Sequence, residues 1–167
     1  MAYLYKKLEF IENKFTDTYF TINNILFTIE NLDKTHFESN YLFLLKQLTQ
    51  IDPLLIKKED FNNFIDNLNS NHMVKVIIIK GTKKVVGTIT ILKENKLIHN
   101  CGKVAHIEDV IVDKLFRGYG FGKKLLDIGK DECKDCYKIT LDCNDKNIVF
   151  YEKCGFELKG NQLVLYN

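Results

Sequence analysis

The stretch from residue 105 to residue 133 constrains the fold of this chain more than any other part of the sequence. It opens with a short apolar run that ends at Val110–Val112, and such a run is typical of a strand buried on both faces. Past a glycine-rich segment, Phe121, Leu125 and Ile128 recur at the spacing of one helix face. The stretch therefore predicts a strand, a glycine-rich turn and a helix, in that order.

The glycine-rich segment, RGYGFGK at residues 117–123, predicts a binding site for a phosphate or pyrophosphate. Glycines let backbone N–H groups crowd around an anion, and the N-terminus of the following helix adds partial positive charge. A Walker loop would need a serine or threonine after its lysine, and a dinucleotide fingerprint would need G-x-G-x-x-G instead of G-x-G-x-G. A plain surface turn stays open as the alternative, although Arg117 is the only arginine of the chain.

Composition limits the classes of partner. A chain of 167 residues predicts one compact domain, and 46% hydrophobic with 28% charged residues is a globular composition. The 24 basic and 22 acidic residues give a net charge of +2, without the basic face that nucleic-acid binding requires. Since no apolar run approaches the roughly 18 residues of a membrane span, we expect neither a nucleic-acid nor a membrane partner.

The five cysteines favour a reduced, cytoplasmic setting, because their number is odd and no signal peptide is recognisable. Cys133 and Cys136 have the C-x-x-C spacing of a zinc or redox pair, but no second pair has ligand spacing. Structural or incidental cysteines are the favoured interpretation, and no metal is predicted.

The remaining patterns predict an α/β domain over residues 23–167, preceded by an extension over residues 1–22. The extension has an apolar helical spacing that favours a short amphipathic helix: Leu4, Leu8, Ile11 and Phe15. From residue 27 onward the order is β, α, α, β, β, β, α, β, α, β. Pro53 is expected to end the first helix, residues 97–98 to extend the third strand, and residues 163–166 to form the closing strand.

Two adjacent acids, Glu108 and Asp109, interrupt the apolar run of the central strand. Burying charged groups costs several kcal/mol unless they are partnered or functional. The pair is therefore a candidate for chemistry.

Residues 117–122 resemble the Arg-x-x-Gly-x-Gly pyrophosphate loop of the GNAT family of acyl-CoA N-acetyltransferases. Four further segments are similar to the members of that family that acetylate glucosamine 6-phosphate: KLIH at 96–99, HIEDV at 106–110, LDC at 141–143 and FYEKCGF at 150–156. The similarity is dense from residue 96 to residue 156. It is thinner upstream, where QLT at 47–49 fits, and it leaves residues 1–22 uncovered.

The resemblance implies a GNAT fold: an α/β domain with a mixed, mostly antiparallel sheet, helices on both faces and a β-bulge in the central strand. It implies acetyl-CoA as the donor, no metal, a homodimer, and acetyl transfer to the 2-amino group of glucosamine 6-phosphate. Direct attack needs no acyl-enzyme if both substrates are held in line. A GNAT enzyme for another amine, or a non-catalytic acetyl-CoA-binding module, stays open as an alternative.

The same resemblance implies residue roles. A backbone N–H freed by the bulge near Val110 would stabilise the oxyanion, the acids Glu108, Asp109 and Asp142 would surround the amine, and Tyr151 would serve the leaving thiolate. Tyr151 as packing and Asp142 as a helix cap are the plainer alternatives. The acetyl-CoA site would comprise Val110, Ile111, Val112, Arg117, Gly118, Tyr119, Gly120, Phe121, Gly122, Lys123, Asn147 and Tyr151. The amino-sugar site would comprise Thr49, Lys96, Leu97, Ile98, His99, Glu108, Asp109, Leu141, Asp142 and Tyr166.

The chain departs from its relatives at Tyr166, where family members carry a basic residue that reaches the sugar phosphate across a dimer. Neither Tyr166 nor Asn167 can neutralise a phosphate. The phosphate is therefore expected to depend on Lys96 and Thr49.

Overall fold

The computed structural model describes residues 19–165, which form a six-stranded sheet in the order β1-β2-β3-β4-β5-β6. The strands are β1 (Tyr19–Ile22), β2 (Ile25–Asn31), β3 (His72–Ile79), β4 (Val85–Asn95), β5 (Lys103–Val112) and β6 (Lys138–Leu141). The helices are α1 (Tyr41–Leu45), α2 (Lys58–Asp66), the single turn α3 (Ile98–Cys101), α4 (Phe121–Glu132) and α5 (Ile148–Lys153). Short 3-10 turns cover Lys34–Glu38, Lys114–Phe116 and Asp145–Asn147.

The sheet is mixed and mostly antiparallel, as predicted. Each of β1 to β5 pairs with its neighbour in antiparallel fashion, and only the β5–β6 pair is parallel. A parallel pair needs a crossover connection, and α4 supplies it between β5 and β6. The α4 helix therefore begins beside the end of β5.

Helices cover both faces of the sheet, and each face has its own core. On one face, α1 and α2 pack on apolar residues of β3 to β5, with Leu44 and Phe61 buried among them. On the other face, Phe121, Leu125 and Leu126 of α4 pack on β2, β4 and β5. Gly129 permits this contact, because a Cβ there would lie 3.0 Å from Ile89 Cδ1.

The predicted bulge in the central strand is present. Thr88 pairs with Ile111 and Thr90 pairs with Glu108, so the single residue Ile89 faces Asp109 and Val110 together. Asp109 has a positive φ of 50°, a conformation that asparagine and aspartate tolerate better than other side chains.

The start of the domain differs from the prediction. Residues 19–22, which were assigned to the extension, form β1 and pair with β2 through a two-residue hairpin. Asn23 and Asn24 both have positive φ, as a type I′ turn requires, so the Asn-Asn pair was the available signal. The helix predicted from Leu4, Leu8, Ile11 and Phe15 lies outside the described residues.

Three further predictions about elements are wrong. The first helix ends at Leu45, well before Pro53. Its start is fixed by Asn40, which exchanges two hydrogen bonds with the Val85 backbone on β4. Leu97 and Ile98 leave the sheet instead of extending β4. Residues 163–165 form no strand, since none of the described strands pairs with them; Tyr166 lies outside the described residues.

Candidate active site

The last residues of β5 have no neighbouring strand on the side of β6. Pairing of β5 with β6 stops at Ile107 and Leu141, whereas β5 itself continues to Val112. Asp113 N donates to Val86 O on β4 at 2.9 Å, and alternate residues of a strand point their N–H groups to opposite sides. The N–H group of Val112 therefore points away from β4, toward the gap that opens beyond the end of β6. The bulge interrupts the regular pairing of Val110 with β4.

The glycine-rich loop begins next to this gap. Gly118 and Gly120 have φ of 84° and 82°, and Gly120 precedes the first residue of α4. The first bond of this helix runs from Lys124 N to Gly120 O at 3.0 Å, so the amides of residues 121–123 point out of its N-terminal end. Such an end of a 12-residue helix attracts anions.

Side chains around the loop shape this anion site. Arg117 Nε donates to Val112 O at 3.0 Å, which holds the arginine across the end of β5. A Cβ on Gly122 would lie 3.0 Å from the Phe150 ring, so this glycine lets α5 approach α4. Lys123 is not a free cation, since its Nζ lies 2.6 Å from Asp127 Oδ2 and this pairing raises its pKa. Tyr119 is exposed at 40%.

Three acids cluster where β5 and β6 separate. Glu108 and Asp109 were expected within a buried strand, but the bulge turns both toward solvent. Burial still raises the pKa of Glu108, and the charges of Asp142 and Asp109 add to the shift. Asp142 follows the last residue of β6, Leu141. Such a concentration of negative charge attracts cationic or proton-donating groups.

Asp109 and Asp142 each accept a hydrogen bond from an uncharged side chain. Thr90 Oγ1 donates to Asp109 Oδ2 at 3.3 Å, and Gln162 Nε2 donates to Asp142 Oδ2 at 2.6 Å. Sequence reasoning missed both donors. Thr90 carries a weak signal, as a polar residue within a buried apolar strand; Gln162 carries none.

Tyr151 is half-buried on α5, between Phe150 and Phe156, with ring centroids at 5.1 and 6.1 Å. Burial raises its pKa, and the nearby thiols of Cys143 and Cys154 add to the shift. The phenol is therefore protonated at neutral pH and can donate a hydrogen bond. Asn147, in the 3-10 turn that precedes α5, lies one turn earlier in the chain.

The segment from Lys96 to Cys101 forms an unusual turn beside the sheet. His99, Asn100 and Cys101 have consecutive positive φ values of 54°, 57° and 58°, which costs L-residues roughly 1–2 kcal/mol each. His99 stacks on Tyr137 with ring centroids 4.1 Å apart. Leu97 and Ile98 are exposed at 92% and 62%, so the turn presents apolar side chains to solvent. Backbone strain of this kind clusters at ligand sites.

Lys96 and Thr49 lie apart from the acid cluster. Lys96 Nζ forms an ion pair with Glu94, whose second oxygen lies 3.7 Å from His106 Nε2. Thr49 is exposed in the loop after α1, where residues 46–51 line a shallow cleft. Within residues 19–165, no hydrogen bond or ion pair joins Lys96 or Thr49 to the three acids.

Between Tyr19 and Leu165, no group of three or more histidine, cysteine, aspartate or glutamate side chains is placed to hold a metal ion. None of the helices in this range has the length and apolar character that a membrane crossing requires.

Comparison with known proteins identifies relatives. Residues 37–156 match the model of the acetyltransferase (GNAT) family. The glucosamine 6-phosphate N-acetyltransferase of Arabidopsis thaliana is 38% identical over 145 residues, which cover 84% of this chain and 96% of that protein. The enzyme of the same name from Candida albicans is 37% identical over 83% of this chain and 94% of its own length.

Solved structures agree with the sequence relatives. A crystal structure of the Arabidopsis thaliana enzyme superposes with a TM-score of 0.80 at 37% identity, over 84% of this chain and 97% of that one. A Trypanosoma brucei acetyltransferase superposes with a TM-score of 0.79 at 30% identity, over 84% and 99% of the two chains.

Proposed function

The chain belongs to the acetyltransferase (GNAT) family, and from this premise we propose that it transfers the acetyl group of acetyl-CoA to the 2-amino group of glucosamine 6-phosphate. The product is N-acetylglucosamine 6-phosphate. The observation that supports this substrate is the similarity to the Arabidopsis thaliana and Candida albicans enzymes. This similarity extends over more than four fifths of the chain. The acid cluster supplies the negative charge that attracts an ammonium group. The anion site at α4 supplies the partial positive charge that a coenzyme A pyrophosphate needs.

The donor site in this proposal is built mainly from backbone. The amides of residues 121–123 and the glycines before them hold the pyrophosphate, and Arg117 adds charge at the same end of α4. The unpaired edge of β5, residues 110–112, hydrogen-bonds the pantetheine arm as a neighbouring strand would. Gly118, Tyr119, Lys123 and Asn147 complete the contact surface.

The amine loses its proton among Glu108, Asp109 and Asp142. A cationic ammonium is attracted to this cluster, and a carboxylate or a water it holds accepts the proton. Because the pKa of Glu108 is raised, this carboxylate accepts a proton more readily near neutral pH than an ordinary glutamate does. The freed amine then attacks the thioester carbonyl directly, without an acyl-enzyme.

Two groups stabilise the charges that develop during attack. The Val110 N–H, which the bulge removes from the regular pairing with β4, hydrogen-bonds the oxyanion. The Tyr151 phenol donates its proton or a hydrogen bond to the departing thiolate; its raised pKa keeps it protonated. Both assignments rest on the family resemblance, together with the place of Val110 at the bulge and the raised pKa of Tyr151.

The phosphate of the sugar is assigned to Lys96 and Thr49, with Leu97, Ile98, His99 and Leu141 around the sugar ring. Lys96 must then share its charge between Glu94 and the phosphate.

We also propose a homodimer in which Tyr166 lies at the interface. Its support is the exposed apolar C-terminal segment, where Leu163 and Leu165 are exposed at 95% and 87%. A cytoplasmic location is supported by five cysteines that are all free.

Thiol release from acetyl-CoA, measured with glucosamine 6-phosphate and with glucosamine, tests the proposed function. We expect kcat/KM to be at least tenfold higher for the phosphorylated sugar, about 1.4 kcal/mol. Equal values would indicate an enzyme for an unphosphorylated amine, which the pairing of Lys96 with Glu94 would then explain. Absence of turnover with both sugars, together with acetyl-CoA binding, would leave a non-catalytic binding module.

A further inference from the structure

A single side chain, Gln47, joins two loops that lie far apart in the sequence. Its Oε1 accepts a hydrogen bond from Lys114 N at 3.0 Å, across 67 residues. Gln47 lies in the loop after α1, two residues before Thr49. Lys114 begins the 3-10 turn after β5, three residues before Arg117. We propose that Gln47 is a positioning residue. It holds the loop at residues 46–51, which carries Thr49, against the glycine-rich loop at residues 117–122. This proposal rests on the proposed function.

The backbone at the end of β5 explains why this contact matters. Four successive amides there all have partners. Asp113 N donates to Val86 O on β4, Leu115 N to the Asp113 carboxylate, and Phe116 N to Asp113 O. Lys114 N is the one amide of the four whose partner comes from the helical layer on the sheet face, and that partner is Gln47.

The two joined loops are held to different degrees. The end of β5 is fixed to β4, and Asp113 is buried at 7% exposure. Residues 46–50 are all exposed, and their backbone bonds run only to the preceding turn of α1. Loss of the Gln47 bond therefore frees the loop that carries Thr49 more than the loop that carries Arg117. The geometry therefore indicates that Gln47 affects the binding of the amino sugar more than the binding of acetyl-CoA.

Two variants remove the bond, one from each side, and two more are controls. Gln47→Met keeps the side-chain length and loses the acceptor. Lys114→Pro loses the donor N–H, and proline is accommodated there because Lys114 is the first residue of its turn and Asp113, with ψ of 132°, has the backbone that precedes proline. Lys114→Ala loses the lysine side chain and keeps the N–H. Gln50→Met is the matched control, as an exposed glutamine in the same loop.

The experiment is a double-mutant cycle in which KM and kcat are measured for both substrates. We expect Gln47→Met and Lys114→Pro each to raise KM for glucosamine 6-phosphate about tenfold and KM for acetyl-CoA by about threefold or less, with kcat within about twofold. The double variant should be no worse than either single one. Lys114→Ala and Gln50→Met should match the wild type.

The outcomes separate the inference from the proposed function. Multiplying effects in the double variant, or wild-type kinetics in either single variant, would overturn the role of Gln47. If the wild type itself does not turn over glucosamine 6-phosphate, the proposed function fails. In that case the free energy of unfolding, measured with urea across the same cycle, still tests the link: non-additive losses support it, and additive losses or unchanged values refute it.

Discussion

The two halves of the candidate site are built in different ways. The coenzyme half consists of a strand edge, two positive-φ glycines and a helix end, all anchored in the core through Phe121, Leu125 and Ile111. The amino-sugar half consists of side chains on exposed segments: the acid cluster, the turn at residues 96–101, the loop at residues 46–51 and the C-terminal segment. One half is a property of the backbone, whereas the other depends on where individual side chains lie.

This difference has a consequence for specificity. A backbone site of this kind would recognise what all acyl-CoA donors share. The side-chain half carries exposed apolar residues, Leu97, Ile98, Leu163 and Leu165, which a partner surface would cover. Substitutions should therefore affect the two substrates separately.

The largest effect is expected at Tyr151, the proposed proton donor on α5. Tyr151→Phe keeps the ring between Phe150 and Phe156 and loses only the hydroxyl. If the phenol serves the thiolate, kcat should fall by roughly 10², while both KM values stay near wild type. Steady-state kinetics measures this. Tyr19→Phe, on the far edge strand, is the control and should be silent. An unchanged kcat in Tyr151→Phe would make this residue packing alone.

In the coenzyme half, Gly120→Val should weaken acetyl-CoA binding about tenfold, about 1.4 kcal/mol. The φ of 82° is unfavourable for a β-branched residue, and no atom lies within 4 Å of the new Cβ, so backbone distortion is the cause and not a clash. Calorimetric titration with acetyl-CoA gives the affinity.

Gly81→Val is a matched control, because Gly81 has φ of 81° and equally open surroundings in the β3–β4 turn. Both variants should lose similar stability. Only Gly120→Val should lose affinity; equal affinities in the two folded variants would remove the glycine loop from the site.

In the amino-sugar half, Lys96→Ala should raise KM for glucosamine 6-phosphate about five- to tenfold and reduce the preference over glucosamine by the same factor. The effect is smaller than for an unpaired lysine, since Glu94 shares the charge. KM for acetyl-CoA should not change. Lys58→Ala, which breaks the similar ion pair with Glu38, is the control. A Lys96→Ala enzyme that keeps its preference would place the phosphate elsewhere.

The smallest effect concerns stability. Burial and the neighbouring acids raise the pKa of Glu108 in the folded chain, so its ionisation with rising pH disfavours folding. This cost is absent below the unfolded pKa and complete above the folded pKa. Glu108→Gln should therefore stabilise the chain at pH 7 by on the order of 0.5 kcal/mol, since solvent screens the exposed cluster. It should not stabilise it below pH ~4.

Urea unfolding at the two pH values measures this difference, with Glu59→Gln on α2 as the control. The same Glu108→Gln variant should lose activity at pH 7, because the proposed proton acceptor is gone. Greater stability with full activity would separate Glu108 from the chemistry and leave Asp109 and Asp142 as candidates.

The sequence by itself determined the strand, the glycine-rich turn and the helix of the candidate coenzyme half. The apolar run, the glycines and the spacing of Phe121, Leu125 and Ile128 are local patterns with a short period, and each was found as the predicted element. The resemblance added the bulge and the mixed sheet, which are present. Local steric rules fix such features within a few residues, so they can be read without the rest of the chain.

Only the tertiary structure decided the amino-sugar half. The exposure of Glu108 and Asp109 follows from the register of β4 on β5, and the bonds from Gln162 to Asp142 and from Lys114 to Gln47 join residues 20 and 67 apart. The start of α1 depends on Asn40 reaching Val85, 45 residues away. A single side chain that binds a distant backbone has no periodicity, so no local pattern predicts it. Its position is set by how the sheet brings the two segments together.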